Sequence, residues 1–227
     1  MLVSHEKKFV YINTSRVTGW EAEIYFEPYC VRPGAFEPAI ERESERTKHG
    51  IVSSRTLEAR KRPDPDDTIG PISRPDRLYK LVGPARWPKY LKFSVVRNPF
   101  DLTVAWFHAW MPDYERERLQ GLDFSATRKV FRDWLVVSPH LPEMRRVLTL
   151  NGDMFLDEII RFEALEEGVE RVCAKLDLPF EPERLKGPYR QKEAFAPWAD
   201  YYEDETRDVV RDELGWMFRA FDYDSDS

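Results

Sequence analysis

The stretch that most constrains this chain is residues 90–107, YLKFSVVRNPFDLTVAWF, where two apolar runs meet at one charged seam. The run 91–96 has the length and composition of a buried strand. It stops on Arg97-Asn98-Pro99. Asn98 can cap a helix, Pro99 suits the first helical position, and Asp101 follows three residues past the cap. Phe100, Val104 and Phe107 then recur at helical spacing. A strand therefore passes into a helix with an arginine at the joint, a costly place for a charge unless an anion meets it. Two partners are open: a bound anion gripped by both arms of the guanidinium, or Asp101 one turn further on.

The same strand–loop–helix pattern occurs at the start of the chain. FVYI (9–12) reads as a strand, NTSRVTG (13–19) as a polar loop, and WEAEIYFEPY (20–29) as a helix that stops near Pro28. Glu21 and Glu23 suit the first turn of that helix. MFLDEIIRF (154–162) reads as a third strand, and residues 165–178 as a helix with Val169, Val172, Cys173 and Leu176 on one face. Helices are also expected over 125–137 and 205–221, the latter facing inward with Val210, Leu214, Met217 and Phe221. Strands alternating with helices imply an α/β fold with a mainly parallel sheet flanked by helices. Ligands of such sheets bind beyond the carboxyl ends of the strands, which would bring loops 13–19 and 97–99 to one end.

The 227 residues are expected to form a single domain, 1–227, with a charged insertion at about 41–75 that reads as loop with short helices and as a candidate lid. The balance of 35 basic and 41 acidic residues, a net charge of −6, argues against general nucleic-acid binding. No apolar run approaches the roughly 18 residues of a membrane span. The beginning of the chain is charged by residue 5 and does not read as a signal peptide. Cys30 and Cys173 read as two buried thiols in a reducing cytoplasm. His5, His49, His108 and His140 show no ligand spacing, so no structural metal is expected.

The loop 13–19 offers the hydroxyls of Thr14, Ser15 and Thr18, one cation, Arg16, and one glycine, Gly19. It is not a Walker loop, and alone it reads as a polar turn as readily as an anion cradle. Together with Arg97 it suggests a ligand carrying two phosphate groups.

These segments resemble sulfotransferases that use 3′-phosphoadenosine 5′-phosphosulfate (PAPS). NTSRVTGWEAEIYFEPYC resembles their first loop, K-T-x-K-T-A-G-T-S-x-E, and YLKFSVVRNPFDLTVAWF resembles their second signature, F-x-x-V-R-N-P-x-D-[KR]-x-V-S-x-Y. The likeness continues through DEIIRFEALEEGVERVCAKLDLPFE, KGPYR (186–190) and YYEDETRDVVRDELGWMFRAFDYD. It implies a P-loop nucleotide-hydrolase-like fold, PAPS as sulfuryl donor, no metal, and a small-molecule or glycan hydroxyl or amine as acceptor. It further implies that Arg16, Thr18 and Gly19, with Thr14 and Ser15, hold the phosphosulfate. Arg97 would take the 3′-phosphate, with Lys186 and Arg190 joining.

The chain departs from the pattern at several places. Arg16 replaces a lysine, Trp20-Glu21 replaces Thr-Ser, Ala105 replaces a helix serine, and Ile72 stands where relatives carry a histidine. His49 is a candidate base because its loop could fold over the pocket; Glu21 and Glu23 are rivals. Glu21 is expected to weaken donor binding, since a carboxylate repels an anion. His108 reads as packing, and Trp106, Trp110 and Trp134 as core. Two alternatives stand beside the transferase: a catalytically silent relative that binds a nucleotide or partner, and an enzyme that uses the pocket for another anionic substrate.

Overall fold

In a computed structural model the structure describes residues 1–14, 17–39, 41–56, 74–119, 122–137, 141–186 and 196–226. Ser15, Arg16, Ile72, Arg190, His140 and the 57–73 part of the charged insertion lie outside them. In chain order the elements are β1 (Leu2–Ser4), β2 (Phe9–Ile12), α1 (Trp20–Phe26), β3 (Glu45–Arg46), β4 (Gly50–Val52), α2 (Pro75–Val82) and β5 (Leu91–Val96). Then come α3 (Pro99–Trp110), α4 (Asp113–Leu119), α5 (Phe124–Val137), α6 (Met144–Leu148), β6 (Thr149–Leu150) and β7 (Asp153–Met154). The last are β8 (Glu158–Arg161), α7 (Leu165–Lys175) and α8 (Asp204–Phe221). The chain divides into two compact units, Met1–Val96 with Glu143–Gln191 and Arg97–Pro142 with Lys192–Ser227.

The first unit is an α/β body built on a six-stranded sheet of order β3-β4-β1-β2-β5-β8. Only β2–β5 and β5–β8 pair in parallel, with Ile12 opposite Ser94 and Val96 opposite Arg161. The pairs β1–β2, β1–β4 and β3–β4 are antiparallel. The sheet is thus mixed, which corrects the expectation of a mainly parallel one. The reason is length: β1, β3 and β4 have two or three residues each, too few to show a period, and β1 returns into β2 through the tight turn 5–8, where Lys8 has φ 55°.

Side chains alternate across this sheet with the period of two that a strand imposes. Leu2, Phe9, Tyr11, Phe93 and Val95 pack with Ala22, Tyr25 and Phe26 of α1 and Val169, Val172 and Cys173 of α7. Val3, Val10, Ile12 and Ile51 pack on the opposite face with Leu78 and Val82 of α2 and with Val147 of α6. Burial on both faces explains why the strands read as continuous apolar runs. Phe26 sits 4.9 Å from Phe93 and 5.7 Å from Phe9, both edge-to-face, the arrangement aromatic quadrupoles favour. α1 ends at Phe26 because Pro28 follows; the chain continues as a short 3-10 helix, Glu27–Tyr29. Gly168 lets α7 lie close on β8: a β-carbon there would come within 2.5 Å of Ile160.

The second unit is helical. Asn98 caps α3 as the sequence suggests, its Oδ1 accepting from Phe100 N–H at 2.9 Å. Phe100 stacks on Trp198 and meets Tyr202 and Phe218 edge-on or tilted. α8 buries Val210, Leu214, Met217, Phe218 and Phe221. Its start carries a reciprocal cap, with Glu203 N–H donating to Thr206 Oγ1 at 2.9 Å. Trp134 packs against Phe107 and Phe131, whereas Trp110, expected in the core, is half exposed beside Trp106. Among the described residues no helix is long and apolar enough to cross a membrane.

Candidate functional site

Because β2 and β5 run in parallel, their carboxyl ends share one edge of the first unit, and the loop that leaves β2 is pinned there. Thr14 donates its hydroxyl to Val95 O at 3.0 Å. Its proton is thereby committed to the backbone, and the side chain cannot also donate it to a phosphate. Tyr11 donates its hydroxyl to Gly19 O at 2.6 Å, and Glu23 N–H donates to the same oxygen at 2.9 Å. Gly19 has φ 86°, and a β-carbon on it would stand 2.3 Å from Tyr11 Oη and 3.1 Å from Val95 Cβ. Only glycine can close the loop this tightly over the two strands.

Thr18, next to Gly19, is buried, and its Oγ1 has no hydrogen-bond partner among the described residues. A buried hydroxyl left in this state costs about 1–3 kcal/mol, so it marks a donor whose acceptor is not part of the described chain.

Behind the loop lies a chain of buried charges. Glu23 is wholly buried: its Oε2 accepts from Asn13 Nδ2 at 2.8 Å, and its Oε1 from the Met1 amine at 3.0 Å. Oε1 also lies 3.4 Å from Arg55 Nη1 and 3.5 Å from Ser53 Oγ. Burial pushes the Glu23 carboxyl up, but the Met1 amine and Arg55 outweigh it and hold the group below the usual carboxylate range. Arg55 pairs onward with Glu27 at 2.6 Å and donates to Ala39 O at 3.0 Å; Arg42 also pairs with Glu27, at 2.6 Å, and with Glu45. Asn13, Glu27, Arg42 and Arg55 escaped the reading of the sequence. The available signal was the spacing of Glu23 and Glu27, four apart on a helix that is otherwise apolar at that face, which demands buried cations from elsewhere.

Glu23, a candidate base in the sequence, is wholly buried with both carboxylate oxygens engaged, and its lowered pKa makes it a weak proton acceptor. Glu21 remains partly exposed in the first turn of α1. His49, the other candidate base, is placed elsewhere. It occupies the turn between β3 and β4, with Nδ1 2.7 Å from Glu6 Oε1, and its carbonyl accepts from His5 N–H at 2.8 Å. Gly50 pairs with Ser4, and Ser4 with Phe9, so this turn lies at the amino end of β2. Asn13 and Thr14 follow the carboxyl end of that strand, roughly 10 Å away along it.

Arg97 follows β5 directly and is buried. Its Nε donates to Asp101 Oδ2 at 2.6 Å and its Nη2 to Asp101 Oδ1 at 3.0 Å. Asp101 is the internal carboxylate among the two partners the sequence left open. Lys186 ends the 3-10 helix Pro182–Lys186, which packs along α1, and its ammonium pairs with Glu183 at 2.9 Å. Ala105 is buried in α3 and offers no hydroxyl. His108 Nε2 shares a hydrogen bond with Tyr201 Oη at 2.8 Å. Burial, helped by Arg116, lowers its pKa to about 4, so it is a neutral packing group near neutral pH. Among the described residues no group of three or more His, Cys, Asp or Glu is placed to hold a metal. Comparisons with protein-family models, with curated proteins and with solved structures find no match to this chain.

Proposed function

We propose that the chain is a PAPS-dependent sulfotransferase acting on a hydroxyl or amine of a small molecule or glycan. One observation carries the reading: the buried Thr18 hydroxyl, without a hydrogen-bond partner among the described residues, beside Gly19 at the carboxyl edge of parallel strands β2 and β5. That edge is where α/β sheets bind ligands, and a donor hydroxyl there suits an oxyanion. The likeness of 13–30 and 90–107 to the family signatures supports the same choice.

PAPS supplies an activated sulfuryl group and a phosphate leaving group. Transfer breaks the bond between sulfur and the bridging oxygen and forms one from sulfur to the acceptor heteroatom, whose proton must go to a base. In the proposal Thr18 and Arg16 stabilise the negative charge that grows on the leaving phosphate. Arg97 is proposed to take the 3′-phosphate, sharing its guanidinium between that group and Asp101. Glu21, partly exposed where the loop returns, is the group proposed to accept the proton. Buried, unpaired Cys30 and Cys173 suit a reducing compartment, and the cytoplasm belongs to the proposal.

A second reading has its own support. Arg97 is already neutralised by a two-pronged ion pair, and Ala105 lacks the family's hydroxyl, as a catalytically silent relative would show. Titration calorimetry with adenosine 3′,5′-bisphosphate, followed by transfer assays from PAPS to a panel of alcohols and amines, separates the readings. Binding with transfer is expected. Binding without transfer points to the silent relative. No binding of the bisphosphate removes PAPS chemistry altogether and leaves other oxyanions as ligands of the loop.

A further inference from the structure

We infer that Glu23 is a positioning residue for the 13–19 loop, tying together through Asn13 the point where the chain leaves β2 and the point where it enters α1. The role assigned to the loop rests on the function proposed above; the tie itself does not.

A single residue closes both ends of the loop. Its backbone N–H holds Gly19 O at 2.9 Å, and its carboxylate holds Asn13 Nδ2 at 2.8 Å. Both side chains are buried, so neither bond is diluted by water. The second carboxylate oxygen is claimed by Ser53 and Arg55 from the segment after β4, and by the Met1 amine, so the group cannot rotate away from Asn13. A buried ion pair is weak evidence for stability, since an apolar substitute often does as well; what the charge adds here is a fixed direction. Thr18 and Gly19 sit inside the closed span, so their geometry depends on where its two ends are held.

The chemistry of the pair gives a test that a merely stabilising role would fail. In Glu23→Gln, the amide oxygen satisfies Arg55 only if its NH2 faces Asn13, and the Asn13 amide must then turn over to present its Oδ1, giving up its present orientation. Asn13→Asp instead sets two carboxylates against each other. The double variant Asn13→Asp/Glu23→Gln restores one donor facing one acceptor, leaves an amide oxygen for Arg55, and keeps the net charge.

Two readouts are taken on the full chain: affinity for adenosine 3′,5′-bisphosphate by calorimetry, and amide hydrogen exchange of peptides covering 13–20 without ligand. Asn13→Asp is expected to weaken binding at least tenfold and to speed exchange in 13–20 at least tenfold, with little change over 91–96; Glu23→Gln is expected to do both to a smaller extent, because Asn13 can turn over. The double variant is expected to return both to within about threefold of the parent. Should a single variant not fold, Asn13→Ala, which leaves Arg55 and Ser53 on Glu23, replaces it and is expected to speed exchange likewise. A double variant no better than the worse single, or melting temperatures that fall while loop exchange stays at the parent value, would overturn the inference. If the parent binds no bisphosphate, the function proposed above fails, and loop exchange alone decides the role of Glu23.

Discussion

Arg55 and Arg97 are both almost wholly buried, and they are held in opposite ways. Arg97 takes both oxygens of one carboxylate, Asp101, four residues on and in the helix that Arg97 introduces. Arg55 bridges two carboxylates, Glu23 of α1 and Glu27 of the 3-10 helix that follows it, the first of them 32 residues earlier in the chain. Asp101 keeps some exposure, 18%, whereas Glu23 and Glu27 have none. A local pair with one wet edge can relax when a partner is lost. A distant pair sealed on all sides cannot, and its loss leaves ions stranded in the interior.

The sharpest test removes each arginine. Arg55→Met should cost about 3–5 kcal/mol of folding stability in urea titrations, the usual effect of leaving a buried ion without its partner. Arg97→Met should cost only about 1–2 kcal/mol, because Asp101 can turn toward water. Equal losses would break the contrast between sealed and wet pairs.

Ligand affinity should rank some of these residues differently. Arg97→Ala should cost about 1.5–3 kcal/mol of affinity for adenosine 3′,5′-bisphosphate, the worth of charge-assisted hydrogen bonds, in calorimetric titration. Unchanged affinity with lost stability would leave Arg97 as an internal ion-pair partner only.

Acid should separate the two regions as well. His108, on the same helix as Asp101, has a folded pKa of about 4 against an ordinary 6.5. Between those values the unfolded chain binds a proton that the folded chain does not, so stability falls as pH drops from 6.5 to 4. After allowance for partial exposure the loss should be about 1–2 kcal/mol, and His108→Leu should flatten it in denaturation curves taken across that range. Glu23 acts lower. Its pKa is depressed, so its contribution is present above the ordinary value of 4.5 and is lost only as pH falls through its folded pKa. A slope between 6.5 and 4 that survives His108→Leu would assign acid sensitivity to other groups.

The smallest effect is expected at Glu21, which is partly exposed where Glu23 is wholly buried. Glu21→Ser should raise affinity for PAPS by about 0.3–1 kcal/mol, with the gain shrinking at high salt, as for any partly exposed charge. Unchanged or lower affinity would show that Glu21 is not the obstacle to the donor, while turnover should fall in either case because Glu21 is the proposed proton acceptor.

Strands 9–12 and 91–96 and the Asn98 cap were legible from sequence at their observed bounds, because each depends on its own few residues and on burial on two faces. The segment 154–162 was legible only in part. It divides into β7 and β8, and only β8 joins the main sheet. The helix read as 165–178 ends at Lys175, where Leu176 caps it and Asp177 turns to φ 52°. Strands β1, β3 and β4 were invisible, since a two- or three-residue strand is defined by its neighbour and not by its own pattern. The same reason hid the position of His49. Its loop was free to go anywhere on paper, and the antiparallel pairing of β4 with β1 carries it to the amino end of β2.

By itself the sequence determined the local facts: an arginine at a strand–helix joint with its own carboxylate one turn on, a loop with one glycine, and an α/β alternation. Only the tertiary structure decided that Gly19 must be glycine, because the obstruction is Tyr11 of β2 and Val95 of β5. It alone decided that Thr18 is buried without a partner among the described residues, and that Glu23 anchors the loop through Asn13 where the sequence had offered a base. The physical reason is range. Helical and strand periods and caps act over a few residues, whereas burial and countercharge are settled by groups that folding alone brings within 3 Å.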